Sequence, residues 1–324
     1  MAYVNPASLP RPRDHGGGLD LARSRYGGER IAWMDLSTGI NPHPYPIASL
    51  PDGCWNTLPD EDAQNALIDA ARTFWSVPDS MEILAAPGAS VLIAALPSLE
   101  REGDVIIPPP TYNEHMAAFV AQGWTVQSTD SACARVVVHP NNPDGRLWSG
   151  PDLPAPDAKL TIIDESFCDT CPTRSLVPDA GKNGWLVLKS FGKFWGLAGV
   201  RLGFLIGSPA RIARVRDRLG PWPVSGPALA IGTQALVDTT WAMETRTRLA
   251  EDSARLDARM QLAGARVVGG TPLFRLYDVE DAQVWQDRLA RHHIWTRTFP
   301  YNPRWLRLGI PHALHWPRLE AALA

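Results

Sequence analysis

Cysteine is scarce, with four in 324 residues. That is too few for a disulfide framework, so a reducing cytosol is the expected setting. Long apolar runs are missing too. None approaches the roughly 18 residues of a membrane span, and the opening stretch MAYVNPASLPRPRDHGGG carries no apolar core of a secretory leader. Neither sign of charge dominates. Lys and Arg number 31 against 34 Asp and Glu, a net charge of −3 with a pI near 6.2, which leaves no basic face for nucleic acid. The expected protein is cytoplasmic, with neither nucleic acid nor membrane among its partners. Lysine is itself rare: Lys159, Lys182, Lys189 and Lys193 are all there are. A codon bias toward arginine accounts for the ratio, but it confines any lysine chemistry to those four positions. Tyrosine, at six, is rare beside thirteen tryptophans.

What is present is ordinary globular composition, 45% hydrophobic and 20% charged, in a chain long enough for about two domains at roughly 150 residues each. Residues 1–45 are rich in Gly and Pro and read as an extended arm. A helical pattern follows at 63–76. Short apolar runs then alternate with helical stretches near 89–100 and 112–122. The expected strands are 82–86, 105–107, 125–128, 135–139, 160–164, 185–189 and 202–206. Continuously apolar strands separated by helices predict an α/β large domain over 46–225 with a mainly parallel sheet. Ligands of such sheets sit at the carboxyl ends of the strands. The string GPWPVSGP at 220–227 marks a break. Beyond it, 226–324 reads as a long helical stretch over 227–263 and a smaller α+β domain.

Five strings can carry chemistry. Ser190-Phe191-Gly192-Lys193, after an apolar strand and eight residues before Arg201, places an amine where burial lowers its pKa and favours a Schiff base. Arg201 can fork onto a phosphate. Asp164 closes the strand TIID and can hold a protonated pyridine nitrogen, or simply cap a turn. Asn142, in HPNNPDG, offers a donor from what is otherwise a plain turn. Ala89 and Ser90 open a helix after Pro87-Gly88, where N–H groups favour phosphate. Tyr112 can stack on a planar ring or pack in a core. Cys168 and Cys171 form a CxxC, weak evidence for metal or redox chemistry without a second pair.

Taken together and in order, the five strings, without the CxxC, resemble the pyridoxal-phosphate enzymes of the aspartate-aminotransferase fold, over nearly the whole chain. The resemblance implies pyridoxal 5'-phosphate as cofactor, with Lys193 as its covalent anchor and Asp164 at the pyridine nitrogen. Asn142 would contact the ring hydroxyl and Tyr112 would stack on the ring. Ala89, Ser90, Ser190 and Arg201 would bind the phosphate. His15-Gly16-Gly17 and Asp35-Leu36-Ser37-Thr38-Gly39-Ile40-Asn41-Pro42 narrow it, being similar to the cobalamin-pathway threonine-phosphate decarboxylases, relatives of the histidinol-phosphate aminotransferases. The activity so implied is loss of CO2 from L-threonine O-3-phosphate, giving (R)-1-aminopropan-2-yl phosphate. The resemblance also implies a homodimer. It offers Arg307, Arg297 and His15, the last as a lid, for the substrate's carboxylate and phosphate.

Two positions depart from the aminotransferase relatives: Phe167 stands where Tyr is usual, and Leu58 where a Tyr precedes Pro-Asp. The alternatives are an aminotransferase acting on histidinol phosphate or a similar phosphorylated amine, which would depend on 2-oxoglutarate, and a non-catalytic partner in the cobalamin pathway.

Overall fold

The computed structural model describes residues 15–127, 132–149, 153 and 158–324. The strands in chain order are β1 (Met34–Asp35), β2 (Glu82–Ala86), β3 (Asp104–Ile106), β4 (Thr125–Gln127), β5 (Ala134–Val138), β6 (Leu160–Asp164), β7 (Leu186–Ser190), β8 (Gly203–Gly207), β9 (Arg266–Thr271), β10 (Phe274–Asp278), β11 (Ile294–Trp295), β12 (Arg297–Phe299) and β13 (Asn302–Gly309). The α-helices are α1 (Leu19–Tyr26), α2 (Glu61–Phe74), α3 (Ala89–Ala95), α4 (Asn113–Ala121), α5 (Val177–Asn183), α6 (Pro209–Leu219), α7 (Gly226–Val237), α8 (Thr239–Leu262), α9 (Ala282–Ala290) and α10 (Trp316–Leu323).

Seven strands form one sheet in the order β2-β8-β7-β6-β5-β3-β4. Pairing is parallel from β7 to β4, while β8 runs against both β2 and β7. The central strands read as unbroken apolar runs because both faces are buried. Val136, Ile162, Leu186 and Leu188 pack on one side with α3 and α6 residues. Val137, Ile163 and Val187 pack on the other with α2 and α7 residues. A second, four-stranded antiparallel sheet, β12-β13-β10-β9, closes a third core with α8, α9 and α10, in which Tyr277, Leu306 and Leu308 are buried.

Each expected strand lies within one or two residues of its observed position, except that Ser128 falls outside the described residues. The helix expected over 89–100 is α only to Ala95, giving way to a 3-10 turn, Leu96–Leu99, that contains Pro97. The stretch 227–263 is two helices: Asp238 ends α7, and its side chain accepts from Trp241 N–H at 2.9 Å to cap α8.

Residues 1–14 of the arm lie outside the described residues, but the remainder is not simply extended. Leu19 and Ala22 of α1 bury against Trp33, Ala290 and Trp295, and β1 pairs in parallel with β11. These segments therefore pack with the C-terminal layer. α7 packs with α2 in the core of the large sheet.

Candidate active site

The carboxyl ends of the parallel strands converge on one cavity, as the sheet topology demands. β2 leads to Ala89 and Ser90, β5 to Asn142, β6 ends at Asp164, and β7 leads through Ser190 to Lys193. The reversed β8 starts at this edge rather than ending there, which brings Arg201, two residues before it, to the same place. Ala89, Ser90, Tyr112, Asn142, Asp164, Ser190, Lys193 and Arg201 all line this cavity. A second cavity opens beside it and shares Ser90, Tyr112, Asn142, Phe167 and Lys193 with it. His15, Arg297 and Arg307 line this outer space.

Lys193 is held by its loop. Its carbonyl accepts from Asn41 N–H at 3.0 Å, while Asn41 Nδ2 donates to Phe194 O at 2.9 Å. The string 35–42 thus clamps the lysine turn. Burial pulls the amine pKa down, the nearby positive charge of Arg307 lowers it further, and Asp164 opposes them. The result is about 8. Lys193 Nζ stands 5.7 Å from the centre of the Phe167 ring, so the phenyl group supplies a wall there and no hydroxyl. Leu58, the other departure, is exposed.

Asp164 is buried. Burial alone would raise its pKa, but hydrogen bonds and charge reverse the direction and hold it below the usual carboxylate range. Its Oδ2 lies 2.8 Å from Nε2 of buried His115, and its Oδ1 accepts from Ser166 N–H at 2.9 Å and from the Ser166 hydroxyl. His115 was not evident from the sequence. It sits in an apolar helical stretch just after Tyr112, its ring 6.1 Å from the Tyr112 ring, and no local pattern marks its contact with Asp164.

Arg201 adopts a left-handed backbone, φ 55°, which few non-glycine residues do outside constrained sites. Its guanidinium lies against the Gly88 turn: a Cβ at Gly88, φ 88°, would stand 2.5 Å from Arg201 Nη2. Only glycine lets the arginine fork meet the start of α3, where Ser90 and the backbone of Ala89 face the same space.

Arg297 and Arg307 are paired residues of β12 and β13. Arg307 is buried, donates from Nη2 to Ser37 O at 2.6 Å and from Nη1 to Asn142 Oδ1, and lies over the Phe274 ring. His15 Nε2 is 2.9 Å from Glu114 Oε1.

Behind the site lies a buried charge cluster that the sequence reading did not single out. Lys189 Nζ meets Glu165 Oε2 at 2.6 Å and Asp169 Oδ1 at 3.5 Å. His139, Glu165 and Cys168 approach one another closely enough to suggest a metal, but the oxygen and nitrogen donors are already engaged. His139 Nε2 is 2.7 Å from Arg174 O and its Nδ1 accepts from Trp148 N–H. Glu165 also accepts from Ser175 and Leu176. The CxxC therefore borders a satisfied polar cluster.

The aminotransferase class I and II family model matches residues 32–315. A threonine-phosphate decarboxylase of Sinorhizobium sp is 40% identical, the match covering 98% of this chain and 99% of that protein. That of Pseudomonas aeruginosa is 38% identical over 96% and 97%. Among solved structures, a histidinol-phosphate aminotransferase from Sinorhizobium meliloti in complex with pyridoxal-5'-phosphate superposes with a TM-score of 0.80, covering 100% of this chain and 97% of that one, at 17% identity. Such a likeness speaks for the fold alone. The chain belongs to the aminotransferase class I and II family.

Proposed function

We propose that the chain is a pyridoxal phosphate-dependent decarboxylase that converts L-threonine O-3-phosphate to (R)-1-aminopropan-2-yl phosphate in cobalamin biosynthesis. The observation that carries the reading is two arginines, Arg297 and Arg307, paired across strands in the cavity that opens onto Lys193. They provide charge for a substrate with two anionic groups. Near-full-length identity of 40% and 38% to two threonine-phosphate decarboxylases supports the same reading.

The residues present fit the cofactor. A buried amine of depressed pKa, a buried carboxylate held ionised, and an arginine fork that a Gly88 Cβ would meet all border one space. Bound pyridoxal phosphate would supply an electron sink for the bond broken at the substrate's Cα. Lys193 would anchor it, with Asp164 holding the proton on the pyridine nitrogen. Asn142 would meet the ring hydroxyl, and Tyr112 would cover the ring. Ala89, Ser90, Ser190 and Arg201 would take the phosphate. His115 and Ser166 act on Asp164, fixing its orientation and its charge.

Reaction choice is then a matter of orientation. Arg297, Arg307 and His15 would bind the carboxylate and the phosphate of the substrate. Holding both ends fixes which Cα bond is aligned for cleavage. After CO2 leaves, the Lys193 ammonium would return a proton to Cα. Phe167 removes one polar contact from this wall.

The reading carries a cytoplasmic homodimer with it. Exposed Leu58 and Val237, which line the cavity between residues 51–66 and α7, support an apolar contact surface. Sedimentation of the loaded protein tests it. The activity is tested by incubating the loaded protein with L-threonine O-3-phosphate in the absence of any keto acid. Aminopropanol phosphate is the expected product. Turnover only of histidinol phosphate, and only with 2-oxoglutarate, would make the chain an aminotransferase instead.

A further inference from the structure

The outer cavity is lined by Arg297, Arg307, Lys193 and His15, and by one carboxylate among the described residues, Glu114. A carboxylate beside a site for a doubly anionic substrate repels that substrate, so its presence calls for a compensating role. The pairing supplies one. Glu114 lies in the first turn of α4, on the side of the large sheet. His15 comes from the N-terminal segment and reaches across to place its Nε2 2.9 Å from Glu114 Oε1.

The segment behind His15 is pinned. Gly17 N–H donates to Ser37 Oγ at 2.6 Å, and Ser37 Oγ donates to Asp35 Oδ1 at 2.6 Å. A Cβ at Gly16 would fall 2.4 Å from Ser37 O, so glycine is what lets the two backbones pass. That same Ser37 carbonyl accepts from Arg307. A continuous line of contacts therefore runs from Arg307 through Ser37 and Gly17 to His15 and Glu114. The His15 ring stands 6.2 Å from the Tyr112 ring, above the wall shared by both cavities.

We infer that Glu114 is a positioning residue whose carboxylate latches His15 across the mouth of the outer cavity, so that the imidazole is held facing the substrate's phosphate and residues 15–18 lie over the bound molecule. The inference rests on the substrate reading above. The pairing removes the rotamer freedom that a half-exposed histidine would lose on meeting an anion.

The test uses the cofactor-loaded protein and the variants Glu114→Gln, Glu114→Ala, His15→Ala and the double alanine. KM for L-threonine O-3-phosphate should rise about tenfold in Glu114→Gln, the scale of one lost charged contact, with kcat falling by less. The double variant should be no worse than the worse single one. Amide exchange at residues 16–19 should quicken in both Glu114 variants. A merely structural Glu114 would leave Glu114→Gln like the parent, because glutamine keeps the shape and an acceptor. Unchanged KM and exchange in that variant, or additive losses in the double one, overturn the latch. If the parent itself shows no change in cofactor absorbance with the phosphoamino acid, the substrate reading falls. The exchange rates at 16–19 then decide the latch by themselves.

Discussion

Arg297 and Arg307 stand directly opposite each other on adjacent antiparallel strands, a like-charged pair in a place where like charges destabilise a sheet. Arg307 is all but inaccessible, at 2% exposure, and is held by carbonyl oxygens of Ser37 and Asn142. On the proposed function, this arrangement receives the anionic groups of the substrate. Replacing either arginine with leucine should raise KM for L-threonine O-3-phosphate at least about tenfold, the value of a bidentate charged contact. Steady-state kinetics check this, and an unchanged KM removes that arginine from the substrate site.

The same pair acts on Lys193. Arg307 is the leading charge that depresses the Lys193 pKa, after burial. The neutral, nucleophilic amine therefore becomes the major form above about pH 8, well below the ordinary lysine range. Uptake of pyridoxal phosphate by the cofactor-free protein should accelerate through that pH, and in Arg307→Leu the midpoint should move upward. Stopped-flow absorbance over a pH series reads both, and a midpoint near 10 in the parent would contradict this environment. Lys193→Ala should lose the covalent cofactor link that borohydride traps.

His115 touches Asp164 directly and holds the carboxylate in place and in charge. His115→Phe should retain the cofactor but lose about tenfold or more in kcat, with a shifted cofactor absorbance. Asp164→Asn should lose more. A His115→Phe enzyme with parental kcat and spectrum would show that Asp164 needs no such support.

Lys189 is fully buried against Glu165 and Asp169. Burial pushes its pKa down, and the two carboxylates more than reverse this. Lys189→Met strands two buried carboxylates and should cost about 3–5 kcal/mol of unfolding free energy. Glu165→Leu added to it should recover part of that loss. Denaturant unfolding of the two variants measures both, and a change below about 1 kcal/mol in Lys189→Met would mean that water reaches the cluster.

Much of this was legible in the sequence. Apolar strands such as Leu160–Asp164 announce themselves because burial on both faces forces a continuous run. The motif residues follow because strand ends gather at one edge. What was hidden is contact between distant segments. His115 meets Asp164 49 residues away, and Glu114 meets His15 across the cavity. Neither pair leaves a local pattern. The arm read as extended because its glycines and prolines mask α1, whose burial on Trp33 and Trp295 is a tertiary effect.

The central claim is that this site breaks the bond between Cα and the carboxylate. The direct measurement is release of CO2 from carboxyl-labelled L-threonine O-3-phosphate by the cofactor-loaded protein, with no keto acid present. One CO2 for each aminopropanol phosphate formed is the predicted result. Binding of the substrate with the carboxyl label retained, or consumption of the amine only when 2-oxoglutarate is added, would contradict it.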